Sequence, residues 1–296
     1  MGGLETYLRG LKSMARRSSF GDEPKSRLAV WSGRLGLFAL AVAALSIIIL
    51  RSGMLEIEPS LATFAAALVF AALAILLALA SFITIWRQGL SELRSSILGL
   101  FLGLLLLAYP SYLGYRATVL PAISDITTDP DNPPRFDALA RLRPRGRTDY
   151  PGKTTAALQR AAYPDIVPLQ LSVSPKAAYD AALALITKRK WRIVDPRPPA
   201  PGRRDAVIEA VAQTMIMGFR DDVVVRIVPV GQGSRVDVRS ASRYGQHDFG
   251  ANASRVRALL EEIDDTAGNV PVPRTEPAKT DTKGTPTKKG TPEKKR

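Results

Sequence analysis

The sequence predicts an α+β protein: three N-terminal transmembrane helices, then a small antiparallel-sheet domain of about five strands with two helices on one face. Three observations predict it. Three long apolar runs all fall before residue 116. From residue 168 the apolar spacing changes to the two-residue alternation of strands, bracketed by two stretches of helical spacing. The strands are joined by short turn signals, which favour hairpins over parallel crossovers.

The apolar runs span 28–50, 61–85 and 97–115. Each is long enough for a helix to cross about 30 Å of hydrocarbon. The first is interrupted once, by Arg34 near its start, where a long side chain snorkels to the headgroups. It begins too late and runs too long for a cleaved signal peptide, and no small-residue cleavage site follows it. Arg9, Lys12, Arg16, Arg17, Lys25 and Arg27 precede it, the first loop (51–60) has one Arg and two Glu, and the second (86–96) has Arg87 and Arg94. Positive charge stays inside, so the N-terminus and second loop are expected in the cytoplasm and everything after Tyr115 in the periplasm, with the chain in the inner membrane. Trp31 and Trp86 would then mark the inner interface and Tyr109, Tyr112 and Tyr115 the outer one. Pro110 lies in the last turns of the third span, where a kink costs less than at the centre. None of the spans has a central ionisable residue, which disfavours a transporter or proton relay.

Within the leader, residues 1–27, Leu4, Tyr7, Leu8, Leu11 and Ala15 recur at helical spacing while Arg9, Lys12 and Arg16 face elsewhere. An amphipathic helix on anionic lipid and a frayed basic leader both fit this pattern. Gly99 and Gly103 form a small-xxx-small pair in the third span, and Ala67/Ala71 and Ala74/Ala78 are similar in the second. Such spacing lets helix backbones approach closely, either among the spans of one chain or between two chains as a homo-oligomer.

The formal net charge is +14. The excess lies mainly at the two ends, while residues 121–266 carry 22 basic and 18 acidic groups. No large basic face for nucleic acid is expected from so even a balance. The membrane lipid is the partner implied directly; an anionic envelope polymer or a partner membrane protein is the other kind. The chain has no cysteine, which excludes disulfides, thiolate nucleophiles and cysteine-ligated zinc or iron–sulfur sites. With one histidine, a zinc site would need carboxylates for its remaining ligands, so neither metal nor cofactor is expected.

Residues 116–167 read as a connector, with turn-rich "TTDPDNPPRF" and "RLRPRGRTDYPGK". The domain proper is expected at 168–266. It opens with a strand at 168–173, then Ser174-Pro175 starts a helix over 175–190, a capping hydroxyl followed by proline at the first helical position. That helix ends in cations, which suit its negative end. Strands follow at 191–195, 206–216, 222–230 and 234–243, with 196–204 a loop and Gly231-Gln232-Gly233 a hairpin turn between the last two. In the last strand Val236, Val238, Ser240 and Ser242 share one face, and Arg235, Asp237, Arg239 and Arg243 the other. A helix near 249–264 has an apolar stripe of Val256, Leu259, Leu260 and Ile263. The order is β-α-β-β-β-β-α. Residues 267–296 contain the repeat Lys283-Gly-Thr-Pro286 and Lys289-Gly-Thr-Pro292 and no apolar stripe, the composition of a disordered basic tail.

Four short motifs recur along this half: Gly-Phe-Arg-Asp-Asp at 218–222, Gly-Ser-Arg-Val-Asp-Val-Arg-Ser at 233–240, Ser-Arg-Tyr-Gly at 242–245 and Asp-Phe-Gly-Ala-Asn at 248–252. In these the chain resembles the bacterial domain-of-unknown-function family numbered 1499, over about 120–265. Some members carry a cysteine-containing segment near the domain start, where "DPDNPPRF" stands here, so no thiol chemistry transfers. The resemblance implies an envelope protein with no assigned activity.

The candidate ligand-binding residues are Arg226, Arg239, Arg243, Asp248, Asn252 and Arg255. Several guanidiniums near a helix N-terminus would suit phosphate or carboxylate. Cross-strand ion pairs with Glu209 and Asp237 on an exposed sheet face are the plainer reading, and the more favoured. Asp248 is placed to cap the last helix, with Asn252 one turn in. His247 lacks a nucleophile at a recognisable spacing, so its stretch reads as a capped turn before an active site. Asp221 and Asp222 point opposite ways on a strand and read as turn-capping residues.

Three functions follow as expectations. The first is a non-catalytic, membrane-anchored envelope protein whose domain binds an anionic ligand or a partner. The second is a hydrolase of an anionic envelope component, with His247 or Asp248 as acid or base and Arg239 and Arg243 as anchors. The third is a structural subunit of a membrane complex that uses the Gly99/Gly103 face.

Overall fold

The computed structural model describes residues 25–53, 56–142 and 148–268. Most of the basic leader, and the tail from residue 269, lie outside the described residues. Helices α1 (Arg27–Ser52), α2 (Ile57–Gln88) and α3 (Leu93–Val119) are long and apolar enough to cross a membrane. Each overruns its apolar stretch by polar residues at both ends. The Ser26 hydroxyl caps α1, and Gly53 and Gly89 end α1 and α2 in the left-handed conformation (φ 68° and 63°) that glycine adopts without a Cβ clash.

The bundle is small inside and large outside. Ala29, Ala39, Ala43, Ala67, Ala71, Ala74 and Ala78 are buried, while Phe38, Leu45, Ile48, Val69, Leu76, Phe101 and Leu104 are exposed. This is the distribution expected where lipid is the solvent and close backbone approach drives packing. Gly99 and Gly103 lie in the contact among the three helices. A Cβ at Gly99 would fall 2.6 Å from the Ser32 backbone of α1, and one at Gly103 2.8 Å from the Ala71 carbonyl of α2. The glycine face is therefore occupied within the chain. Serines tie the same seams: Ser32 Oγ donates to Ala74 O (2.8 Å), and the Ser81 and Ser96 hydroxyls share a hydrogen bond (2.6 Å).

The second half builds one antiparallel sheet from β1 (Asp125–Thr127), β2 (Leu169–Leu171), β3 (Arg192–Arg197), β4 (Ala206–Gln213), β5 (Arg220–Val230) and β6 (Gly233–Ser242). The strand order is β1-β6-β5-β4-β3, with β2 also on β6. Helices α6 (Pro175–Lys188) and α7 (Ala251–Gly268) cover one face, and Ile186, Leu185, Val256, Leu259 and Ile263 pack there on Ile208, Val223, Val225, Ile227, Val236 and Val238. From β2 onward the element order is the β-α-β-β-β-β-α of the sequence. The third predicted strand stops at Gln213 rather than residue 216, because the Thr214 hydroxyl accepts from Phe219 N–H (2.9 Å) and closes a turn there. Strand β3 runs on through Pro196 into the predicted loop, which an edge strand tolerates because its outer N–H positions need no partner.

The stretch read as a connector is part of the domain. Besides β1 it contributes α4 (Ala138–Leu142) and α5 (Lys153–Ala162). Phe136 and Leu139 cover the second face of the sheet against Val207, Val211, Val224 and Ala241. The buried Glu209 carboxylate accepts from the Asp137, Ala138 and Leu139 amides at 2.8–3.0 Å, pinning α4 by its N-terminus. On α5, the Gln159 amide pairs with both backbone groups of Thr127 (2.6 and 3.1 Å), closing the β1 edge as another strand would. So the arginine-bearing face is covered, not exposed.

The domain sits at the end of the bundle where α1 finishes and α3 leaves the hydrocarbon. Arg51 Nη1, in the last turn of α1, donates to the carbonyls of Met215 (2.6 Å), Ile216 (3.2 Å) and Thr214 (3.5 Å) in the β4–β5 turn.

Candidate functional site

Residue parity on the strands separates the expected anion site. Arg226, Arg239 and Arg243 point to the sheet face covered by residues 128–142 and 148–150, whereas Arg255 stands on α7, over the opposite face. The structure therefore does not bring all four guanidiniums together, and each has a carboxylate of its own. Arg226 and Arg235 share Asp237 (2.9 Å each), and Asp129 joins them from the covering segment. Arg243 bonds Asp222 (2.7 Å) and Arg255 bonds Asp221 (2.5 Å). The two adjacent aspartates do point opposite ways, as a strand requires, but they are ion-pair partners on β5 rather than turn caps.

Arg239 is the most enclosed of the set, at 2% exposure. Its Nε and Nη2 make a two-pronged pair with Asp125 (2.9 and 2.7 Å), and its other donors reach Pro134 O and Thr148 O (3.0 and 2.9 Å). Phe136 stacks 4.5 Å from its guanidinium carbon. All three of its nitrogens are engaged, and four of its five N–H donors are used, which leaves little to offer an incoming anion. Of the acidic partners expected for these arginines, Asp237 is one, while Glu209 bonds Arg197 (3.1 Å) and the α4 amides instead.

The helix-face residues form a second closed network. Asp248 accepts from Gly250 N–H (2.8 Å) and Asn252 N–H (2.7 Å), the capping geometry its position predicts. Burial pushes its carboxyl above the usual carboxylate range, against the pull of those two amides. Burial also raises Asp221, with Arg255 opposing. Asn252 accepts from Ser240 Oγ (2.7 Å) and donates to Ser124 O (3.0 Å) and Ser242 Oγ (2.9 Å). His247 Nδ1 accepts from Phe249 N–H (2.9 Å), its ring stacks on Phe249, and its Nε2 is buried without a partner among the described residues. Among the described residues no serine or carboxylate oxygen is bonded to that ring.

Sequence reasoning missed a basic cleft at the end of the sheet nearest the bundle. It measures about 330 Å³ and is lined by Arg189, Lys190, Trp191, Arg192, Gln213 and Arg220, among others. Register explains the convergence: Arg192 pairs with Val211 and Arg220 with Gln213, so the starts of β3 and β5 bring their cations beside the end of α6. Arg189 stacks on Trp191 (5.3 Å) and bonds Glu262 (2.8 Å). Lys190, Arg192 and Arg220 are exposed and have no acidic partner among the described residues. The signal was the run Lys188-Arg189-Lys190-Trp191-Arg192, which the dipole of the preceding helix explains only in part.

The fold and its sites define a membrane-anchored protein with three spanning helices and one α+β domain. Residues 125–263, from β1 into the last turns of α7, match the model of a family described as "Protein of unknown function (DUF1499)". No curated protein matches the chain. Among solved structures, TTHA0849 from Thermus thermophilus is similar at 13% identity over 34% of this chain and 94% of its own, with a TM-score of 0.20, too slight a likeness to carry fold or function across.

Proposed function

We propose that this is a non-catalytic binding protein of the bacterial inner membrane, whose α+β domain faces the periplasm and holds an anionic envelope ligand in the basic cleft. One observation carries the reading. Arg226, Arg239, Arg243 and Arg255 are all engaged inside the fold, while Lys190, Arg192 and Arg220 converge, unpaired among the described residues, on one cleft. Clustered cations beside a flat aromatic such as Trp191 suit a phosphate- or carboxylate-bearing polymer. Two further facts favour binding over hydrolysis: Asp248 is committed to capping, and neither His247 nitrogen reaches a nucleophile among the described residues. The periplasmic assignment is supported by the lysine and arginine excess at the start of the chain.

The test is calorimetric titration of the detergent-solubilised full chain with linear polyphosphate at two salt concentrations. Binding should weaken with salt, and Lys190→Glu/Arg192→Glu should weaken it about tenfold per reversed charge. The polyphosphate should be recovered intact. Equal binding by the double variant, or cleavage of the polymer, overturns the proposal.

A further inference from the structure

A second, larger cleft lies where the domain meets the membrane. It measures about 730 Å³ and opens between the α1–α2 junction and the turns at the near end of the sheet. One wall carries Leu50, Ile57 and Leu61, and the rim carries Arg51, Glu56, Glu58 and Arg220. The apolar runs of α1 and α2 end here, so the cleft stands at headgroup level. Beside it the β4–β5 turn presents Met215, 92% exposed, and Ile216.

The charges in this cleft come in two signs, unlike those of the basic cleft. Arg51 is fixed by three backbone carbonyls, which orient its guanidinium without neutralising it. Arg220 has no acidic partner, and Glu56 and Glu58 no basic one, among the described residues. Arg243, also at the rim, is already neutralised by Asp222.

We propose that this cleft is a binding site for the headgroup of phosphatidylethanolamine. The lipid phosphate bonds Arg51 and Arg220, its ammonium bonds Glu56 and Glu58, and the first methylenes of its acyl chains lie on Leu50, Ile57 and Leu61. The chemistry discriminates between lipids. A choline head has no N–H to donate to the glutamates, and a glycerol head brings no positive charge to offset them. The site shares Arg220 with the basic cleft, but its glutamates and apolar wall belong to it alone, and it does not depend on which side of the membrane the domain occupies.

The experiment is native mass spectrometry of the full chain released from micelles containing equal amounts of phosphatidylethanolamine, phosphatidylglycerol and phosphatidylcholine. The wild type should retain phosphatidylethanolamine about tenfold over either competitor, the value of one charge-assisted contact. Glu56→Gln/Glu58→Gln should erase the preference over phosphatidylcholine while leaving the melting temperature unchanged, since both side chains are exposed. Arg220→Ala should lower retention of all three lipids. Lys190→Glu/Arg192→Glu, outside this cleft, should leave lipid retention as in the wild type, so that failure of the anion site and failure of this one are told apart. Equal retention of the three lipids, a preference for phosphatidylglycerol, or a preference untouched by the glutamate variants overturns the proposal.

Discussion

Arg239 is the largest fully buried side chain, and its contacts separate a ligand anchor from a part of the fold. An anchor keeps donors free for the ligand. Arg239 spends its donors on Asp125 and on two carbonyls of the covering segment, with Phe136 against its flat face. Removing it would leave Asp125 as a buried, unpaired carboxylate. Arg239→Ala is therefore expected to cost about 3–5 kcal/mol. Arg239→Lys should recover little, because an ammonium cannot make the two parallel bonds to Asp125 and the carbonyl bonds together. Chemical unfolding of the full chain in detergent measures both. A lysine variant as stable as the wild type would return Arg239 to the list of ligand anchors.

The helices of the bundle owe their contacts to what their side chains lack. At Gly99 an added Cβ meets the backbone of Ser32, which cannot rotate away, so α1 and α3 must separate. At Gly114 an added Cβ meets open space. Gly99→Ala should destabilise the bundle by about 1–3 kcal/mol, the range for overpacking a tight contact, and Gly114→Ala should not. Thermal unfolding in one detergent compares them, and equal melting temperatures would sink the close approach. The spacing of Gly99 and Gly103 was legible in the sequence, but whether the partner was α1 or a second chain was not, since both leave the same small-xxx-small trace. The elements that escaped detection share a cause. β1 has three residues and α4 five, too few to show a period, and both lie among prolines that signal turns. Their place is set by distant groups, Glu209 and Gln159, whose pairing leaves no mark in the local pattern. The same cause hid the roles of Asp125 and Asp129, which supply charges to arginines more than 90 residues away.

At the scale of the whole molecule the partition into a greasy bundle and a folded half was legible, because length and composition alone specify it. The edge of the folded half was not, since β1 follows α3 by only a few residues and the domain begins almost at the membrane. That proximity sharpens the question of sidedness. The C-terminal end of α1, the start of α2 and the end of α3 lie together under the domain, so one orientation decides the location of all of it. The end away from the domain has Lys25, Arg27, Arg87 and Arg94, with further cations in the leader. The domain end has Arg51 and Arg116, and Arg51 is held by the β4–β5 turn. Insertion reads the cations before the domain folds, and the larger number lies on the leader side. Fusions made after residue 268, where α7 ends, should therefore give active alkaline phosphatase and dark green fluorescent protein. The reverse pair, fluorescence without phosphatase activity, would place the basic cleft in the cytosol and withdraw an envelope polymer as its ligand, while leaving the lipid cleft where it is.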